Sequence, residues 1–188
     1  MMKNTKTMEE KNTIQATETD IAFRKVSEPY GWLGNMSKHP VIYNGKEYRT
    51  SEALFQWLRL EGYPEFQKVI FEQKSPMGVK MKAKSFKKQI PEEEMKEILS
   101  TDRERMKLCL KHKLQSNPEL VKMLLETGDR MIIEDCTKRN RGTGPLWGAA
   151  LIEGEWVGQN LLGELWMEIR SELRLHTEIQ NQHLIYIE

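Results

Sequence analysis

Leu162, Leu165, Trp166, Ile169 and Leu173 recur every three or four residues, so a helix here must bury one whole face against other elements. Asn160 stands just ahead of the stripe, where an amide side chain can cap a helix start. The same period returns in Leu54, Phe55, Trp57 and Leu58, with Thr50 or Ser51 available as cap. It returns again in Val79, Ala83, Phe86 and Ile90, after Ser75 as cap and Pro76 at the first helical position. Met106, Cys109, Leu110 and Leu114 follow Thr101-x-x-Glu104, the spacing of a capping box. Asn117-Pro118 opens a further helix with Leu120, Met123 and Leu124, and Gly128 sits where that helix should stop. Strand signals are short by comparison. VIYNGKEYRT (41–50) reads as a hairpin, because Asn44 and Gly45 both tolerate positive φ. Met131–Glu134 is strand-like, and the terminal LIYIE reads as an edge strand. The pattern predicts an α+β fold, mainly helical, in a single domain with a few short strands.

A length of 188 residues suits one such domain. Residues 1–20 are polar and lack apolar period, so the expectation is a disordered leader, a domain over 21–175 and a tail over 176–188. No apolar run approaches the ~20 residues that span a bilayer, which predicts no membrane partner. The N-terminus lacks the apolar core of a secretory signal, so the expected location is cytoplasmic. Cys109 and Cys136 lack CxxC spacing and read as reduced thiols, and the four histidines lack ligand spacing. No metal or cofactor is expected. The formal net charge of +1 argues against a charge-driven nucleic-acid binder but leaves room for a local basic pocket.

Four constellations could carry chemistry. Glu52 lies in the first turn of a helix directly after a hairpin, either as a placed carboxylate or as a simple complement to the helix dipole. Ser75-Pro76-x-x-Val79-Lys80 joins a helix N-terminus to a lysine one turn on, which suits a phosphate, although the lysines of KMKAKSFKK also read as a solvated face. Glu134 and Asp135 end a strand and point to opposite sides, so one of them at most faces a pocket. Lys138, Arg139, Arg141, Gly142 and Gly144 after them could cradle phosphate, or form a plain charged loop. Trp147-Gly148 offers a flat stacking surface with backbone room beside it, and the Asn160 amide can cap a helix or reach a ligand hydroxyl. Arg170 either pairs with an acid or is exposed.

In order along the chain, these pieces resemble the NADAR family, also called YbiA-like. The carrying motifs are NGKEYRTSEALFQ (44–56), Pro76-Met77-Gly78-Val79-Lys80, KLQSNPELVKMLLETGD (113–129), Ile132-Ile133-Glu134, Trp147-Gly148 and GQNLLGELWMEIR (158–170). The resemblance covers roughly residues 30–173 and includes Asn35 in an opening that reads WLGNM. It implies a YbiA-like fold and cleavage of an N-glycosidic bond in a phosphorylated ribose compound. The substrate would be a small riboflavin-pathway intermediate or an ADP-ribosylated guanine in nucleic acid. It implies catalytic roles for Glu52, Lys80 and Asp135, with Lys80 either binding phosphate or attacking the opened sugar. Asn35, Lys113, Glu134, Arg139, Arg141, Trp147, Gly148 and Asn160 would then line the substrate site. Family members carry an aspartate three residues before Trp-Gly, where this chain has Gly144; Asp135, Asn140 or no residue stands in for it. Two other readings remain: a module that holds ADP-ribose without cleaving it, and a nucleic-acid surface along Lys80–Lys88.

Overall fold

The computed structural model describes residues 12–185, with side chains through 177. Asn44 (φ 48°) and Gly45 (φ 72°) reverse the chain between β3 (Val41–Tyr43) and β4 (Lys46–Tyr48), which pair antiparallel. Two strands met earlier, β1 (Thr13–Gln15) and β2 (Ile21–Phe23), each find partners far along the chain. β2 lies parallel to β5 (Ile132–Glu134), with Ile21 opposite Ile132. A parallel pair needs a long crossover, and here six helices supply it: α1 (Ser51–Arg59), α2 (Pro64–Glu72), α3 (Pro76–Lys87), α4 (Glu92–Ser100), α5 (Asp102–Ser116) and α6 (Glu119–Leu125). After β5 come a short helix α7 (Gly144–Trp147), the hairpin β6 (Ala150–Ile152) and β7 (Glu155–Val157), and the long α8 (Leu161–Ile185). β7 is the middle of a three-stranded antiparallel sheet, β1-β7-β6.

The stripes bury as their period requires. Leu162, Leu165, Trp166 and Ile169 of α8 meet Met106, Cys109, Leu110 and Leu114 of α5 in one core, together with Leu54, Phe55 and Leu58 of α1. Trp166 satisfies its indole N–H on the carbonyl of Leu33 at 2.9 Å and meets Trp32 edge-on. Thr50 caps α1 and Ser75 caps α3, each hydroxyl accepting the N–H three residues on.

Several expectations change. Residues 13–15 are not a disordered leader: they pair with β7, and Thr17 and Asp20 close a hydrogen-bonded turn behind them. The tail does not form an edge strand within the described residues, since α8 runs on to Ile185, and 186–188 lie outside them. The capping box at Thr101 does not form, because its hydroxyl donates to Ile98 O and accepts from Arg105. Arg170 is neither exposed nor acid-paired. It is buried, and its guanidinium donates to the Thr127 hydroxyl and the Arg130 carbonyl. No helix among the described residues is long and apolar enough to cross a membrane.

Candidate active site

α1 has two buried faces, and the second is polar. Glu52, Gln56 and Arg59 fall at i, i+4 and i+7, on one side of the helix. They are 7%, 6% and 7% exposed, so this side meets protein rather than water. Buried polar groups need partners, and these form a relay. Gln56 Nε2 donates to Glu52 Oε1 at 2.9 Å, and Arg59 Nη1 reaches Gln56 Oε1 at 3.4 Å. Arg59 Nε donates to Asp102 Oδ1 at 2.8 Å, its Nη2 bonds Asp102 Oδ2, and its guanidinium lies 4.3 Å above the Phe55 ring. Among the described residues, Glu52 Oε2 accepts no hydrogen bond. The relay therefore fixes the carboxylate while leaving one oxygen for a ligand.

The backbone of Glu52 is pinned as well. Its N–H donates to the carbonyl of Asn35 at 3.0 Å. The loop carrying Asn35 is fastened from below by Lys113, whose Nζ donates to Trp32 O, to Gly34 O at 3.1 Å and to Ser37 Oγ at 2.8 Å. Lys113 is wholly buried, and desolvation pulls its pKa down to about 7. It positions the loop and touches no open space, so it does not line a substrate site. Asn35 Oδ1 is buried without a partner and stays a candidate for ligand contact.

The end of β5 delivers the second carboxylate. Glu134 keeps 22% of its side chain exposed, and Arg139 Nη2 lies 3.6 Å from its Oε1. Desolvation raises its pKa; Arg139 and Lys80 oppose the rise, and the negative charge of Glu52 adds to it. The charges of Glu52 on α1, Lys80 on α3 and Arg139 in the loop after β5 therefore all act on Glu134. Lys80 is an exposed residue of α3 at the edge of this group. The N-terminus of α3 below it is already capped by Ser75, which uses the N–H of Gly78.

Asp135 turns the other way, as alternation along a strand demands. Its Oδ2 takes Arg24 Nη1 at 3.3 Å and its Oδ1 takes the N–H of Thr137 at 2.8 Å. Both of its oxygens are engaged there, so it shapes the turn after β5 and, unlike Glu134, has no oxygen left without a partner at the strand end. Asn160 is also reassigned. Its Nδ2 donates to Ile132 O at 2.8 Å and its Oδ1 accepts from Glu134 N at 3.0 Å, so the amide clamps β5 instead of capping α8 or meeting a ligand. Gly148 serves packing: a Cβ there would lie 2.2 Å from the carbonyl oxygen of Glu134. Trp147 is half-buried with its ring edge-on to Phe55 at 5.6 Å. Arg141 is exposed in the loop beyond Arg139.

Beside the relay lies a cleft of about 280 Å³ lined by Arg59, Lys87, Asp102, Arg103, Thr143 and Trp147, among others. Arg59 and Asp102 belong to none of the sequence motifs, Gln56 only closes the motif over 44–56, and Lys87 stands in the sequence only as one of a row of lysines. The available signal was the i, i+4, i+7 run of long polar side chains on a helix otherwise apolar.

The NADAR domain model matches residues 22–174. N-glycosidase YbiA of Escherichia coli (strain K12) is 27% identical over 158 residues, covering 84% of this chain and 91% of that protein. An N-glycosidase of Acanthamoeba polyphaga mimivirus is 38% identical over 68 residues, 32% of this chain and 37% of that one. The NMR structure of the E. coli protein YbiA superposes with a TM-score of 0.67 at 26% identity, covering 87% of this chain and 90% of that one.

Proposed function

We propose, for a chain that belongs to the NADAR family, an N-glycosidase that hydrolyses the C–N bond between a phosphorylated ribose and its nitrogen base. The observation that carries this reading is the unequal carboxylate pair. Glu52 sits in a hydrogen-bonded relay ending in the Arg59–Asp102 pair, while Glu134 is desolvated and its pKa is raised. Two carboxylates held in unlike environments can divide acid and base roles. N-glycoside cleavage develops positive charge at the anomeric carbon, and the free oxygen of Glu52 stabilises it. Glu134, protonated above the ordinary carboxylate range, donates its proton to the departing nitrogen. Water then adds to the sugar, and the proton it sheds returns to Glu134. Lys80, whose charge acts on Glu134, either steadies the anionic substrate or, as a free amine, attacks the opened sugar. Trp147 forms the flat wall.

The substrate is a small ribose-phosphate aminopyrimidine of the riboflavin pathway or a guanine bearing ADP-ribose in nucleic acid. Incubation with both in parallel, followed by mass spectrometry of the released base, tests the reading. Cleavage of one that is lost in Glu52→Gln at unchanged fold supports it. Full turnover in Glu52→Gln removes Glu52 from the reaction, and no release from either compound overturns the activity.

A further inference from the structure

The cleft beside the relay holds more positive charge than its own acids neutralise. Arg59 and Arg105 both spend themselves on Asp102, and Arg103 is taken by Glu168. Lys87, at the end of α3, has no ion pair or hydrogen bond among the described residues, although it is half-buried in the same cleft. The lining adds the Thr143 hydroxyl, and Leu146, Trp147 and Leu161 form an apolar flank. A half-buried ammonium without a partner bears a desolvation cost that an anion removes. Desolvation and the neighbouring Arg59 pull the Lys87 pKa down to about 8, while Asp102 and Glu52 oppose.

Position says which part of a ligand belongs there. Arg59 follows Glu52 by seven residues on the same side of α1, a separation of about 10 Å at 1.5 Å per residue. A pentose whose anomeric carbon meets Glu52 can place a phosphoryl group carried on its far carbon near Lys87. We propose that the cleft walled by Lys87, Arg59, Arg103 and Trp147 is the seat of the substrate's phosphoryl group, with Lys87 as its principal cation. This inference rests on the glycosidase reading for the placement of the sugar. It moves the phosphate away from the α3 N-terminus and from Lys80.

Binding separates this claim from turnover. Titration calorimetry of the wild-type chain with ribose, ribose 5-phosphate and ADP-ribose should show binding only of ligands that carry phosphate. Ribose 5-phosphate binding marks a monoester seat, and binding of ADP-ribose alone marks a nucleotide source for the same group. Lys87→Met keeps the apolar stem and should weaken binding by about tenfold or more, the worth of one charged hydrogen bond. Lys87→Arg should restore most of the loss, and Glu52→Gln should still bind only the ligands that carry phosphate while failing to turn over. Unchanged affinity in Lys87→Met, or no binding of either phosphate compound, overturns the seat. Lys87-dependent binding without cleavage of any glycoside keeps the seat and sinks the glycosidase instead.

Discussion

Asp102→Ala strands a buried guanidinium. In the folded chain Asp102 receives Arg59 through two hydrogen bonds and Arg105 Nη1 through a third at 3.0 Å. The Arg59 and Asp102 side chains are only 8% and 11% exposed, so little water reaches the pair. Breaking such a pair from one side costs about 3–5 kcal/mol, because the remaining charge is uncompensated. The contact of Arg59 with the Phe55 ring survives and the adjoining cleft admits some water, so the lower end applies, about 3 kcal/mol. For a domain near this size that lowers Tm by roughly 6–12 °C. Urea unfolding followed by circular dichroism should show the midpoint falling at constant slope. Replacing both partners, Asp102→Ala with Arg59→Met, removes the more buried orphaned charge, while Arg105 keeps its bonds to Ile98 O and the Thr101 hydroxyl, and should recover a large part of the loss. Turnover should fall in the single variant even where it is folded, since Gln56 loses its hold on Arg59 and Glu52 loses its fixed geometry. A cost below about 1 kcal/mol, the range of exposed pairs, or a double variant no better than the single one, refutes the dependence of Arg59 on this carboxylate.

The pH profile of kcat/KM should be bell-shaped, with an alkaline limb where Glu134 loses its proton above the ordinary carboxylate range. Glu134→Gln should remove that limb and cost about 10²–10⁴ in rate; an unchanged alkaline limb excludes Glu134 as the acid. Gly148→Ala would set a Cβ 2.2 Å from Glu134 O. Relieving that clash should cost about 1–3 kcal/mol and shift the carboxylate, seen together in urea midpoint and turnover. Cys109 is fully buried and burial pushes its thiol pKa up, so it should resist alkylation by iodoacetamide in the native state and react once urea unfolds the chain. Native labelling at Cys109 contradicts the packing of α5 against α1.

Local signals carried the fold where they were also sufficient. Asn44-Gly45 dictates its turn through positive φ, and the stripes of α5 and α8 need only their period to choose a face. The strand at 13–15 has no apolar alternation to announce it. Its order comes from pairing with β7, some 140 residues later, a contact that no local pattern encodes. Lys113 and Arg170 misled for a related reason. Long cationic side chains on helices ordinarily face water. These two are buried because loop carbonyls and hydroxyls distant in sequence converge on them, Trp32 O on Lys113 and Arg130 O on Arg170. Asn160 occupies a cap position by backbone, and Glu164 N donates to its carbonyl. Its side chain is drawn off to β5, which only the tertiary packing brings within reach.

Glu52 and Glu134 stand out in the sequence by position, and their surroundings do not. Family likeness leads to a carboxylate three residues before Trp147, and the chain has Gly144 there. The backbone explains why an acid fits poorly at that point: a Cβ on Gly144 would lie 2.3 Å from the carbonyl oxygen of Arg139, so something must shift. The turn that crowds it also carries Arg139, and so brings a guanidinium to within 3.6 Å of Glu134. Exchanging an acid for glycine in this loop therefore does not leave Glu52 without a partner carboxylate. It lets the loop close tightly over β5, where Asn160 holds the Glu134 N–H and Ala149 donates to its carbonyl, so that the last side chain of that strand stands on a fixed backbone, where the charge of Glu52 acts on it. An acid introduced as Gly144→Asp must push Arg139 aside to fit. On this geometry the variant should lower the urea midpoint and loosen Glu134 without raising turnover.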